Sequence, residues 1–556
     1  MLLCKYPTDI ALLATLVDRT ASTQRNLDLA RQWINECAQR HESCTHEGLN
    51  EEPPLLPLLP KRVIDVECSG EEKVRLHISN GERGRYLTLS HCWGTSFNPC
   101  KLSRQNIEAW QDGIPGEILP KTFKDAIEIT RHLGERFLWI DSVCIIQPHE
   151  GDFSDWLLEG SMMGDIYRNS FCNIAASVSS SSASGFLLDR EGVKYPVEPC
   201  NIPTTDPDVS FLTFHPQLPQ LRGPLYQRGW VLQERLLPPR TIHWAEALFF
   251  QCCSHSASEF QPMLQTSGTD VDKYVSSAVS LQNMHRQTSS FKKVRLREVA
   301  DGRKELGMIA RWKHLVERYT KLELSHETDK LVAISGLASD IAMHTDIVGS
   351  RYLAGMWEYG MYSFLRWASD RSPTNSPRRP QKYVAPSWSW ASVVGQISYQ
   401  EKFDEFSVEY YIEEEDVTLI QDEFGQVSDG RLQLKGMLKA GFRAEDKPPL
   451  CECCMENSAP ARAHFNALWG VHVREVVPRT TENMSSIIFD ALPANFDEPF
   501  HVFVMESCKP VGWHRGLALK KKPKDDNVFE RIGWVDLSDS FEKSFLDCEA
   551  ESIIII

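Results

Sequence analysis

YLTLSHCWGT, running from Tyr86 to Thr95, changes character halfway. Tyr86, Leu87, Thr88 and Leu89 suit a buried strand. Ser90, His91, Cys92, Trp93 and Gly94 then set a hydroxyl, an imidazole, a thiol, an indole and a glycine in a row. Adjacent side chains on a strand point to opposite faces. Neither Ser90–His91 nor His91–Cys92 can therefore form the hydrogen bond of a nucleophile–base couple. No G-x-S-x-G elbow is present, which weakens a serine or thiol hydrolase reading further. A strand that ends this way suits the rim of a ligand crevice, because open α/β sheets bind ligands beyond the C-terminal ends of their strands. Gly94 would permit a tight turn or a close backbone approach there. The competing reading is a tryptophan-rich packing corner with His91 bonded to backbone.

Strand and helix signals alternate outward from this stretch, as in an α/β domain. TFKDAIEITRHLG reads as a helix, with Thr122 and Asp125 matching a capping box and Gly134 as its stop. FLWIDSVCIIQ is a nearly continuous apolar run, the mark of a central parallel strand, and places Asp141 inside it. DWLLEGSMMGDIYRNS reads as a helix, FCNIAAS as a strand, SVSSSSASG as a loop and RGWVLQERLL as a helix stopped by Pro238 and Pro239. TIHWA and ALFFQCC follow as strands, as KRVIDVE and KVRLHIS do upstream. These signals divide the chain into a helical N-terminal segment with a Pro-rich linker (1–80), an α/β domain (81–260), a helical extension ending in APSWSWAS (261–395) and a β-rich sandwich or barrel-like module (396–556). Residues 261–300 read as polar and flexible, and the closing IIII as a strand end or frayed tail.

A chain of 556 residues exceeds one compact core. The net charge of −16 argues against nucleic-acid or anionic-membrane binding. No apolar run approaches the roughly 18 residues of a membrane span. The start of the chain shows no signal peptide, and its 16 cysteines are scattered, which fits a cytoplasmic protein with reduced, buried thiols. Phosphate-binding signatures of P-loop NTPases and dehydrogenases are absent.

Two acidic residues and one cysteine group carry candidate chemistry. Asp141 needs a partner if it is buried, and it could line the crevice below Ser90 to Gly94. Trp156, Glu159, Met163 and Ile166 share one helical face, so Glu159 sits on an apolar stripe. Burial there disfavours its charged form, which suits a catalytic carboxylate and equally a structural one held by an arginine. Glu234, beside Arg228 and Arg235, reads as part of a structural network. Cys144 reads as a small core residue. Cys37, His41 and Cys44 fall on one helical face and could hold zinc with His46 or Cys68 as a fourth ligand, while CECC (Cys451 to Cys454) adds distant thiols; neither makes a paired CxxC pattern, and a packed helix face is the simpler reading.

In order, YLTLSHCWG, LWIDSVCIIQ, DWLLEGSMMGDIYRNS and RGWVLQERLLPPRTIHW resemble the blocks of the fungal heterokaryon incompatibility (HET) domain. LPKRVIDV before them, and DKLVAISGLA and YVAPSWSWAS after them, resemble the extended proteins of that family. The resemblance implies an effector or regulator of programmed cell death in self/non-self recognition. The HET domain is in turn similar to TIR domains, flavodoxin-like modules with a mostly parallel sheet. Some TIR domains cleave NAD with a glutamate on a helix carrying W-x-x-E. That comparison implies Glu159 as catalytic residue, with Trp156 opening the motif and Leu157 where TIR domains carry cysteine. Ser90, His91, Trp93, Gly94 and Asp141 would then bind an NAD-like substrate, with no resident cofactor and no metal. The alternative is a non-enzymatic module for self-association or partner binding.

Overall fold

The computed structural model describes residues 24–41, 44, 56–67, 73–94, 100–188, 200–203, 211–214, 221–253, 255–259, 261–266, 303–344, 350–370, 376–400, 408–410, 413–421, 425–445, 471–475, 485–491, 499–508, 513–523, 525–537 and 549–556. His46, Cys68 and Cys451 to Cys454 lie outside them, as does most of the 261–300 stretch. The chain forms two compact units, residues 1–300 with 339–346 and residues 301–338 with 347–556.

The first unit is built on a nine-stranded sheet. Its elements are α1 (Gln24–Arg40), β1 (Arg62–Asp65), β2 (Arg75–Ile78), β3 (Tyr86–Ser90), α2 (Ile107–Asp112), α3 (Lys121–His132), β4 (Phe137–Trp139), α4 (Asp141–Cys144), α5 (Ser154–Arg168), β5 (Cys172–Ala175), a separate hairpin of β6 (Cys200–Pro203) and β7 (Phe211–Phe214), α6 (Val231–Leu236), β8 (Arg240–Trp244), β9 (Leu248–Cys252), β10 (His255–Ser258) and β11 (Gln261–Thr266). The strand order is β11-β10-β9-β8-β5-β3-β4-β1-β2. β4, β3, β5 and β8 run parallel, with Thr88 opposite Trp139, Ser90 opposite Ala175 and Asn173 opposite Thr241. The outer strands are antiparallel. Short connections such as the one from Trp244 to Leu248 leave no room for a crossover helix, so they return the chain as hairpins. The parallel part of the expected sheet is thus its four-stranded centre.

That centre has one apolar face, while its other face carries the buried polar residues Thr88, Ser90, Asn173 and Thr241. Leu87, Leu89, Leu138, Ile174 and Ile242 are buried, each worth about 1.5–3 kcal/mol of burial. Two local expectations are corrected. FLWIDSVCIIQ is not one strand: β4 stops at Trp139, and Asp141 opens the short helix α4, where its Oδ1 accepts from the Ser142 amide at 2.7 Å. Thr122 and Asp125 do not form a capping box, since Pro120 caps α3 and both residues lie within it. Asp125 instead accepts from the Phe186 and Leu187 amides at 2.8 and 3.1 Å, and Thr122 Oγ1 donates to Ser181 O and accepts from the Gly185 amide at 3.1 Å each. The helix is a clamp for the serine-rich loop. Gly134 follows the helix end with φ +78°, as expected of its stop.

The second unit contains α7 (Arg303–Tyr319), and α8 (Val332–His344) begins in it. Short pairs follow: β12 (Tyr352–Leu353) with β13 (Met356–Trp357), and β14 (Trp367–Ser369) with β15 (Ile397–Tyr399), the helix α9 (Met361–Phe364) lying between β13 and β14 in the chain. The rest is β: β16 (Val408–Tyr410), β17 (Glu413–Gln421), β18 (Val427–Glu445), β19 (Val471–Glu475), β20 (Ser485–Phe489), β21 (Phe500–Cys508), β22 (Trp513–Lys521), β23 (Val528–Leu537) and β24 (Ala550–Ile555). β18 is long enough to pair with β21 through Leu438–Phe442 and with β19 through Phe442–Glu445. The ladders β18-β21-β22-β23-β20-β19-β18 therefore close into a ring around Phe442, Ile487, Phe489, Val502, Val504 and Val535. Of the closing isoleucines, Ile553, Ile554 and Ile555 belong to β24, and Ile553 and Ile555 are buried.

Candidate active site

Parallel strands present their C-terminal ends on one edge, and the polar residues gather there. Ser90 ends β3 and Asp141 follows β4. Asn173, on β5, ties the edge together: its Nδ2 donates to Ser90 Oγ at 3.0 Å and to the Glu234 carbonyl at 3.1 Å, and its Oδ1 accepts from Thr88 Oγ1 at 3.1 Å. Ser90 is thus partnered by an amide and not by an imidazole, as strand geometry required.

Trp93 and His91 turn toward Asp141. Trp93 Nε1 donates to Asp141 Oδ2 at 2.9 Å, and His91 Nδ1 lies 4.0 Å from Asp141 Oδ1. The Lys101 ammonium sits 4.9 Å from the Trp93 ring centre. His91 is buried edge-on to Phe123, and its Nε2 has no hydrogen-bond partner among the described residues. Burial pushes its pKa down to about 4, with Asp141 opposing and Arg228 adding to the fall, so the ring is neutral near pH 7. The Arg228 guanidinium donates to the His91 carbonyl. Gly94 (φ +78°) turns the chain away; a Cβ there would lie 2.4 Å from Ser181 Cβ, so the close approach is to the protein's own loop.

Glu234 on α6 lies beneath this edge and is buried. Burial pushes its carboxyl up to about 7. The Arg228 charge and hydrogen bonding from Ser90 and Tyr167 oppose the rise, and the Asp141 charge adds to it. Glu234 Oε2 has no hydrogen-bond partner among the described residues. Tyr167 on α5 is buried, with its own pKa raised well above the ordinary value. A carboxyl that titrates near neutral pH, beside a hydroxyl, a phenol and an arginine, can give or take a proton at that pH.

Ser90, His91, Trp93 and Asp141 are brought together with Glu234. Glu159 is buried on its helix face, as its spacing predicted, but its contacts run elsewhere. It lies 3.7 Å from both Lys61 Nζ and Arg62 Nη2, which also hold Asp155 at 3.3 and 2.5 Å. Burial raises its pKa and the Arg62 charge counters this. Cys144 is buried with its thiol pushed up to about 12, a core residue. Sequence reasoning placed Glu234 in a structural network and passed over Tyr167 and Asn173. The signal for Glu234 was available: it sits on the apolar face of its helix as Glu159 does, and the adjacent arginines drew the reading toward a structural network.

The α/β unit places a polar cluster at the C-terminal edge of its parallel strands, the edge at which open α/β sheets bind ligands. Residues 86–234 match the family model of the heterokaryon incompatibility protein (HET), so this unit carries a HET domain. Searches among curated proteins and among solved structures returned no match. Among the described residues no helix is long and apolar enough to cross a membrane.

Proposed function

We propose that the chain is a heterokaryon-incompatibility-type effector or regulator in self/non-self recognition, and that its α/β unit hydrolyses the nicotinamide glycosidic bond of an NAD-like dinucleotide with Glu234 as the working carboxylate. The observation that carries this reading is the desolvated Glu234 carboxyl, with a pKa near 7, at the edge where the parallel strands end. Taken in chain order, the parallel centre runs second-first-third-fourth, the arrangement of flavodoxin-like sheets, which bind ligands at this edge. In the reaction the C1′–N bond breaks and nicotinamide leaves with the electron pair. The Glu234 carboxylate stabilises the positive charge on the ribose and takes a proton from the water that adds to C1′. Arg228 and Lys101 supply positive charge for the diphosphate, and the Trp93 ring a stacking surface.

The test is nicotinamide release from NAD by the full chain, free and concentrated enough to assemble. Glu234→Gln is expected to lower turnover by about 10²–10⁴-fold. Glu159→Ala leaves turnover within a few-fold if its role is the Lys61–Arg62–Asp155 network, and abolishes it if Glu159 is the catalytic carboxylate. Equal turnover in all three proteins removes the enzyme reading.

Self-association is the second reading, and α5 is the observation that favours it. Phe153, just before the helix, and Leu157, Leu158 and Met162 on it are large, apolar and about half exposed. Leu158→Asp would then abolish self-association in sedimentation, and with it any cell-killing activity, while Glu234→Gln changes neither.

A further inference from the structure

We propose that Cys37, His41, Cys44 and Cys252 form a closed Cys3His zinc site that staples α1 to β9. Three ligands come from one short stretch of chain, at positions i, i+4 and i+7. Cys37 is on the last turn of α1, the His41 amide donates to the Cys37 carbonyl at 3.0 Å, and the Cys44 amide donates to the His41 carbonyl at 3.0 Å, and the ligand atoms of the three lie together. The fourth is supplied from far along the sequence by the end of β9, which is why no local spacing announced it. The four ligand atoms lie within 4.8 Å of one another. A tetrahedron with Zn–S bonds of about 2.3 Å and a Zn–N bond of about 2.0–2.1 Å has edges of about 3.5–3.8 Å. Cys252 Sγ and His41 Nδ1 are already 3.5 Å apart.

The surroundings match the charge of such a centre. Zn²⁺ with three thiolates carries one net negative charge. Arg240 is buried beside it: its Nε donates to Cys37 Sγ at 3.2 Å and its Nη2 to the Cys44 carbonyl at 3.0 Å. Among the described residues no carboxylate pairs with Arg240. A buried guanidinium is costly without negative charge nearby, and the thiolates provide it. The His255 amide donates to Cys252 Sγ at 3.2 Å, and the His255 ring stacks on His41 with centres 4.0 Å apart, fixing the direction of Nδ1. Amide and guanidinium donors to sulfur, with an oriented imidazole, form the outer shell that metal-bound thiolates need. All three cysteines are buried, and four protein ligands leave no open position, so the site is structural and independent of the chemistry at Glu234.

Metal analysis of the full chain purified without chelators tests this. The wild type is expected to hold about one zinc per chain, and the cobalt-substituted protein to show the sulfur-to-metal charge transfer and visible bands of tetrahedral Cys3His coordination. Cys252→Ser and His41→Ala are expected to lose at least nine-tenths of the metal, roughly a tenfold fall or more. His41→Cys, which keeps four ligands, and Cys100→Ala, away from the cluster, retain it. The proposal is overturned if wild type refolded with zinc binds no stoichiometric metal, if Cys252→Ser keeps its zinc, or if mass spectrometry finds Cys252 in a disulfide with Cys37 or Cys44.

Discussion

Glu234 ties stability to pH. Its folded pKa is about 7, above the ordinary carboxyl value, so the folded state binds the proton more tightly than the unfolded state does. Its contribution is complete below the unfolded pKa and is lost as pH rises through about 7. The protein should therefore lose on the order of 3 kcal/mol from this group between pH 4.5 and 7.5, and Glu234→Gln should flatten that slope in denaturant titrations. If the carboxylate is the active form, nicotinamide release rises with pH over the same interval. Gly94 gives a second single-residue test. Gly94→Ala meets both a left-handed φ and the Ser181 side chain, and should cost about 1–3 kcal/mol in the unfolding midpoint. Adding Ser181→Gly should recover the steric part and leave the backbone part. At this scale YLTLSHCWGT was half legible. Alternation told which neighbours could not pair, but the partners themselves, Asn173 and Glu234, come from other elements that no local pattern links to Ser90.

Elements were legible where one face is buried and punctuation is strong. α5 shows Glu159, Met163 and Ile166 buried as the helical period required, and α6 ends before Pro238. FLWIDSVCIIQ misled because a short apolar strand and a short buried helix have the same composition, and periodicity cannot separate them. Thr122 and Asp125 misled for a related reason: a polar pair at capping-box spacing can equally bind backbone amides across the fold. That difference is testable. Asp125→Ala removes the oxygen that accepts from the Phe186 and Leu187 N–H groups and should free the 177–188 loop, with amide exchange there accelerated about tenfold while β3 and β5 stay protected. Were Asp125 a helix cap, the faster exchange would appear in the first turn of α3 instead.

At the scale of the molecule, alternation after residue 400 announced a β module, but its closure could not be read, because register between distant strands is set by packing and not by local sequence. Closure also depends on polar groups that sequence reasoning treats as surface. Arg531 on β23 is fully buried, with Nε donating to Asp490 Oδ2 at 3.0 Å, Nη1 donating to the Leu365 carbonyl at 2.7 Å, and the guanidinium 3.7 Å from the Trp367 ring centre. Desolvation lowers its pKa, and the Asp490 charge counteracts that. Removing one member of a buried pair strands the other charge, whereas removing both exchanges polar for apolar packing. Arg531→Met should therefore cost about 3–5 kcal/mol, and Arg531→Met with Asp490→Leu distinctly less, read from unfolding followed by tryptophan fluorescence. If the double variant is instead as unstable as the sum of the singles, the worth of Arg531 lies in its bonds to the Leu365 and Trp367 carbonyls, and the network rather than the ion pair holds β23 in the ring.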